Sequence, residues 1–163
     1  MNVLYLLNYA GKAGTERYVE TLVKYLSADG RVKPFFAYNE GGLLVERLEA
    51  MGVPTRQLTM SSRFDRKAAK ALARLCEEWD IDLIHCHCPI TSAVLARELR
   101  SRIHVPTVFT YHTKFDIDIA NAIHAKLLQE GAKKLLVDNI SAFDEVWTVS
   151  RGAGENLRSL GYE

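Results

Sequence analysis

Short apolar runs alternating with stretches of helical periodicity constrain this chain more than any other feature. Residues 3–7, Val3-Leu4-Tyr5-Leu6-Leu7, form an unbroken apolar run. That is the pattern of a strand covered on both faces. A helix is predicted over 15–28, with Tyr18, Val19, Leu22, Tyr25 and Leu26 at helical spacing, Glu20 and Lys24 paired on the outer face, and Gly30 ending it. Further strands are predicted over 32–38, 53–58, 81–87, 105–111 and 146–150, and helices over 43–51, 65–79, 91–102, 117–139 and 152–160. The 117–139 region is expected to break near Gly131. Such alternation implies right-handed crossovers and a mostly parallel sheet covered on both sides. The fold class is therefore α/β, a Rossmann-like three-layer sandwich in a single domain, with no repeat, low-complexity tract or linker.

With 163 residues the chain can bury a sizeable core. A net charge of +1 argues against a nucleic-acid binder, which carries a clear basic excess. Cys76, Cys86 and Cys88 are an odd, sparse set without a secretory signal, which fits reduced cytosol better than a disulfide scaffold. No stretch is long enough to span a membrane. Helix 65–79 carries Arg66, Lys67, Lys70 and Arg74 on its outer face, with Lys126, Lys133 and Lys134 later in the chain. These residues could touch an anionic membrane surface, but a solvated charged face is the commoner explanation.

In a parallel sheet, ligands bind beyond the carboxyl ends of the strands, where the strand order reverses. The segments at those ends are 8–15, 86–90, 111–116 and the 150–151 corner. They carry Gly11, Gly14, Glu16, His87, His112, Thr113 and Ser150. The first, Tyr9-Ala10-Gly11-Lys12-Ala13-Gly14-Thr15-Glu16, is a glycine loop between strand and helix, an arrangement that points N–H groups at an anion. It is G-x-x-G, neither the dinucleotide fingerprint nor a P-loop. A turn that needs glycine's positive φ explains it as well.

His85-Cys86-His87-Cys88 alternates faces of a strand, so the two histidines share one side and the two cysteines the other. Four adjacent ligands split in this way do not close a zinc tetrahedron, and no metal site is expected. His87, nearest the strand end, is the one that can reach a ligand, and His85 is structural. His112 follows a buried strand directly; it is either a proton carrier or hydrogen-bonding group, or a core histidine bonded to a carbonyl. Asp116 and Asp118 either face the strand-end loop or cap the next helix. No activated nucleophile is apparent.

Three segments together resemble the amino-terminal domain of family-4 retaining glycosyltransferases, which have the GT-B fold. Ala13-Gly14-Thr15-Glu16-Arg17, with the helix after it, resembles that family's Gly-Gly-x-Glu loop, Ala13 standing in place of the first glycine. Asp82-Leu83-Ile84-His85-Cys86-His87 and Pro106-Thr107-Val108-Phe109-Thr110-Tyr111-His112 are similar to its D-h-h-H-x-H and P-x-V-x-T-x-H strands, h being hydrophobic. Phe143-Asp144-Glu145-Val146-Trp147-Thr148-Val149-Ser150, with Leu160-Gly161-Tyr162 later, resembles its aspartate–strand–valine-serine segment.

The resemblance implies the acceptor-side half of a cytoplasmic enzyme that transfers a sugar, with retention and without a metal or other cofactor, from a nucleotide-sugar donor to a glycan or lipid-linked acceptor. It implies that His112 contacts the transferred sugar and is the catalytic residue. Gly11, Ala13, Gly14 and Thr15 would approach the donor diphosphate. Glu16, His87, Thr113, Asp116, Ser150 and Arg151 would line the acceptor side of the cleft. In that family a hinge and a donor domain with an E-x7-E motif follow. Glu155 and Glu163 share the spacing but not the glycine-rich setting, so the chain is expected to be a domain fragment, inactive alone. The alternatives are a non-catalytic subunit that needs a separate donor-domain chain, or a one-domain nucleotide- or phosphosugar-binding protein.

Overall fold

The computed structural model describes residues 1–28, 30–60, 66–89, 98, 104–112 and 115–163. Six strands form one sheet in the order β3-β2-β1-β4-β5-β6, and every pairing is parallel. They are β1 (Asn2–Tyr9), β2 (Lys33–Glu40), β3 (Thr55–Gln57), β4 (Leu83–Cys86), β5 (Thr107–Tyr111) and β6 (Glu145–Thr148). The described helices are α1 (Gly14–Ser27), α2 (Leu43–Ala50), α3 (Arg66–Glu78), α4 (Phe115–Ala122), α5 (Lys126–Ile140) and α6 (Arg151–Ser159). The helix expected over 91–102 lies outside the described residues except for Glu98, which is helical.

Two apolar cores flank the sheet and make it the middle layer of three. Val3, Tyr5 and Leu7 of β1 pack with Val19 and Val23 of α1 and with Leu44 and Leu48 of α2. Leu4, Leu6, Ile84, Cys86 and Phe109 face the other way, toward Leu72 of α3, Leu136 and Ile140 of α5 and Leu157 of α6. The unbroken apolar run of β1 thus has a partner for every side chain. Each fully buried aliphatic side chain stabilises the fold by about 1.5–3 kcal/mol.

Several expected boundaries move. The stripe that α1 buries is Glu16, Val19 and Val23, whereas Tyr25 and Leu26 are 68% and 40% exposed. The docking angle of the helix on the sheet, rather than its periodicity, selects which apolar positions reach the core. The expected break at Gly131 is not observed, because Gly131 lies inside α5. The interruption falls at 123–125, where Gln129 Nε2 donates to Ile123 O at 2.6 Å and the Leu128 and Gln129 N–H groups both bond Ala125 O. A glycine costs a helix interior only about 1 kcal/mol, too little to end it between good helix formers. Gly30 and Gly52, by contrast, sit at positive φ just beyond α1 and α2, as helix ends favour. On the far side of the sheet, Asp144 Oδ2 accepts from both N and Oγ1 of Thr107 at 2.8 Å, which ties the start of β5 to the turn before β6.

Candidate functional site at the carboxyl edge of the sheet

Because all the strands run the same way, their carboxyl ends share one edge. The strand order reverses at β1, between β2 and β4, so the loop after β1 and the residues after β4 flank the switch point.

The loop after β1 is held from outside. Ala10 N donates to Glu40 O at 2.9 Å, and Leu44 N donates to Ala10 O at 3.1 Å. A Cβ on Gly42 would lie 2.7 Å from Ala10 O, and one on Gly11 would lie 2.3 Å from the Tyr9 ring. Gly11 is buried, Ala13 and Gly14 are exposed, and Thr15 is intermediate. Neither Gly11 nor Gly14 adopts positive φ, so a turn requiring glycine's left-handed conformation does not account for the loop. At Gly42 two backbone segments touch and leave no room for a side chain, whereas at Gly11 the neighbour is the Tyr9 ring. Around Gly14 a Cβ would meet nothing within 4 Å.

Gly14 opens α1. Its N-cap, Ala13, supplies no side-chain hydrogen bond, and the first helical bond runs from Arg17 N to Ala13 O at 3.2 Å. The N–H groups of Gly14, Thr15 and Glu16 therefore point out of the helix without a capping side chain, at the positive end of its dipole. Glu16 itself is 6% exposed, and its Oε2 is buried without a hydrogen-bond partner.

The second half of the site is a set of imidazoles packed on one another at a tilt. His85 and His87 share one face of β4 and its extension, with ring centroids 4.2 Å apart, while Cys86 points into the opposite core. His85 Nε2 lies 2.7 Å from Thr110 Oγ1, and His87 Nδ1 lies 2.9 Å from His112 Nε2. Tyr5, in register with His85, stacks near His87, and Tyr18 of α1 meets the His112 ring edge-on at 4.9 Å. Tyr18 thus links the uncapped helix terminus to His112.

Burial sets the electrostatics. His112 is held down to about 4 by desolvation. Desolvation and then the His112 ring hold His85 at about 4. His87 lies well below its ordinary value because of burial and the two neighbouring imidazoles. Burial also lifts the Tyr5 hydroxyl to about 12. At neutral pH the cluster is uncharged, and it offers hydrogen bonds rather than cations.

The other anticipated residues are placed differently. His87 is 3% exposed; it stands behind His112 rather than on a cleft wall, because Tyr5, Tyr18 and His85 pack around its ring. Asp116, in the first turn of α4, accepts from Asn156 Nδ2 at 3.1 Å, and Asn156 Oδ1 accepts from Tyr111 OH at 2.8 Å. That network joins β5, α4 and α6. Ser150 caps α6 by accepting from Ala153 N at 3.2 Å, and Arg151 Nε pairs with Glu155 Oε1 at 2.8 Å. Thr113 lies outside the described residues. Lys133 and Lys134 pair with Glu130 and Asp138 on their own helix.

Among the described residues no group of three or more His, Cys, Asp or Glu side chains could hold a metal ion, and no helix is long and apolar enough to cross a membrane. Sequence reasoning passed over Tyr5, Tyr18 and Thr110. The signal for Thr110 was the shared two-residue step of His85-x-His87 and Thr110-x-His112, which puts both pairs on one face of adjacent strands. Tyr5 and Tyr18, on β1 and α1, carried no such signal.

Comparison with known proteins agrees with this architecture. The family model for Glycosyltransferase Family 4 matches residues 13–163. HepE of Anabaena, solved in complex with UDP, superposes with a TM-score of 0.78 at 15% identity over 100% of this chain and 42% of that one. The sucrose-phosphate synthase of Thermosynechococcus elongatus gives 0.68 at 16% identity, over 98% and 45%. The lipopolysaccharide outer core galactosyltransferase WaaB gives 0.67 at 14% identity, over 100% and 43%. The chain therefore spans less than half the length of these structures. No curated protein sequence matches it. The sheet order and layering are those of the amino-terminal Rossmann-like half of a GT-B glycosyltransferase. With the family model covering nearly all of its residues, the chain belongs to Glycosyltransferase Family 4.

Proposed function

We propose that this chain is the acceptor-side domain of a retaining, metal-independent glycosyltransferase that moves a hexosyl group from a nucleotide sugar to a glycan or lipid-linked acceptor. The observation that carries the reading is the juxtaposition of a neutral, half-buried His112 with the uncapped first turn of α1, joined through Tyr18. The helix terminus and its Gly14 and Thr15 N–H groups suit a diphosphate leaving group, whose growing charge they would stabilise without a protein nucleophile. The open space at Gly14 lets a ligand approach the backbone closely. HepE, similar in fold, is solved with UDP and with UDP and glucose, which supports a nucleotide-sugar donor.

His112 hydrogen-bonds the transferred sugar in this reading. Gly11 and Ala13 shape the approach of the donor diphosphate. Glu16 and the Asp116 and Ser150–Arg151 segments form the acceptor side, while His87 stands behind His112. The donor domain belongs to the intact protein, so these residues alone turn nothing over. The protein acts at the cytoplasmic side, and contact of the exposed basic residues of α3 with an anionic membrane is secondary to their role as a solvated face.

The test is transfer of label from a panel of nucleotide sugars by the intact protein, with EDTA present and with the anomeric configuration of the product read by NMR. Transfer with retention that survives chelation is expected. Inversion, dependence on a divalent metal, or turnover by residues 1–163 alone would overturn the corresponding part of the reading.

A further inference from the structure

We propose that His87 is a positioning residue that fixes the tautomer of His112: His87 donates from Nδ1, and His112 accepts at Nε2 and keeps its own proton on Nδ1. The proposal deepens the transferase reading and rests on it only for its consequence in catalysis. The tautomer itself is a property of this chain.

One proton lies between His87 Nδ1 and His112 Nε2, which are 2.9 Å apart. The other nitrogen of His87 decides its owner. His87 Nε2 is buried and has no hydrogen-bond partner. If His112 were the donor, His87 Nδ1 would be bare and its only proton would sit on Nε2, as a buried N–H with nothing to receive it. Buried donors without an acceptor are rarer in folded proteins than acceptors left bare. With His87 Nδ1–H as the donor, Nε2 carries only a lone pair. A doubly protonated His87 is excluded by its burial beside two further imidazoles. His85 stacks on the His87 ring, Tyr18 meets it edge-on, and Tyr5 covers it from β1, so the ring cannot swing to offer another atom.

The partner sets which nitrogen of a histidine faces its ligand. With Nε2 engaged, His112 has only Nδ1–H left to offer a substrate. In this arrangement it donates to an oxygen of the ligand and takes no proton from one. His87 touches no substrate and acts through His112.

The experiment is nitrogen-15 NMR of the histidine rings in this chain at pH 7, with no ligand added. The expected spectrum shows His112 with a protonated, pyrrole-type Nδ1 and a bare, pyridine-type Nε2, the reverse of the form that free histidine favours. His87→Asn, which keeps an N–H donor near the place of Nδ1, preserves that pattern. His87→Leu loses it, and His112 reverts to the Nε2–H form. A wild-type spectrum with His112 protonated on Nε2 overturns the proposal. So does an unchanged Nδ1–H form in folded His87→Leu. Since no transfer is measured, the expected tautomer in a protein that moves no sugar would overturn the transferase reading and leave this one standing.

Discussion

His87 Nδ1 and His112 Nε2 lie 2.9 Å apart across the boundary of β4 and β5, and His87 is the more buried of the two. The contact repeats, one step further along the strands, the diagonal bond of His85 to Thr110. His112 is thus the outermost member of a layered polar stack, the one placed to meet a ligand.

Replacing that outermost ring should separate function from folding. His112→Ala in the intact protein is expected to keep its circular dichroism spectrum and to lose turnover by roughly 10²- to 10³-fold, the usual effect of removing one preorganised hydrogen-bonding group at a reacting centre. Steady-state transfer assays check this. Near-normal turnover would make His112 a structural histidine.

Acid should loosen the fold through the same stack. His85 titrates at about 4 when folded, against an ordinary value of about 6.5. Between those values the unfolded chain binds more protons, so stability rises with pH and is lost as pH falls from about 6.5 toward 4. His85 alone would contribute a loss on the order of 3 kcal/mol by the bottom of that window. Urea unfolding across the range measures it, and His85→Gln should flatten the dependence. A wild-type curve no steeper than that of the variant would contradict the assignment.

Two glycines in the same corner should respond in opposite ways. Gly42→Ala forces a Cβ to within 2.7 Å of Ala10 O, a backbone atom, and should cost about 1–3 kcal/mol. Gly14→Ala meets nothing within 4 Å at a helical position and should stabilise by about 0.4–1 kcal/mol. In the intact protein, Gly14→Ala should nonetheless raise the KM for donor, because its methyl group occupies the open approach to the helix terminus. Thermal melts together with donor titration distinguish the packing glycine from the ligand-facing one.

Glu16 should be retained against stability. Its Oε2 is buried without a partner, a cost of about 1–3 kcal/mol, only partly offset by its place at the positive end of α1. Glu16→Leu is expected to stabilise the chain by about 1 kcal/mol, a rise of roughly 2–4 °C in Tm for a domain of this size, and to weaken acceptor use in the intact protein. A lower Tm would show that Glu16 holds the fold together.

The sequence by itself determined the layered α/β class and the place of the described strands. A central parallel strand such as β1, covered on both faces, requires an unbroken apolar run, and the edge strands β3 and β6 follow from the alternation with helices. It also determined that His85 and His87 share a face, since that follows from the two-residue repeat of any strand. The tertiary structure alone decided the rest. It broke the long helical region at 123–125 rather than at Gly131, buried Glu16 while leaving Tyr25 and Leu26 exposed, and turned Ser150 into a helix cap. It also set Gly11 against Gly42 and the Tyr9 ring, and left Gly14 open at the helix terminus, neither at positive φ. Each of these depends on which surfaces meet, and at what angle, across tens of residues of chain. The bond from His87 to His112 is of the same kind. Local periodicity puts each ring on a face, but only the register of two neighbouring strands puts their nitrogens within hydrogen-bonding distance.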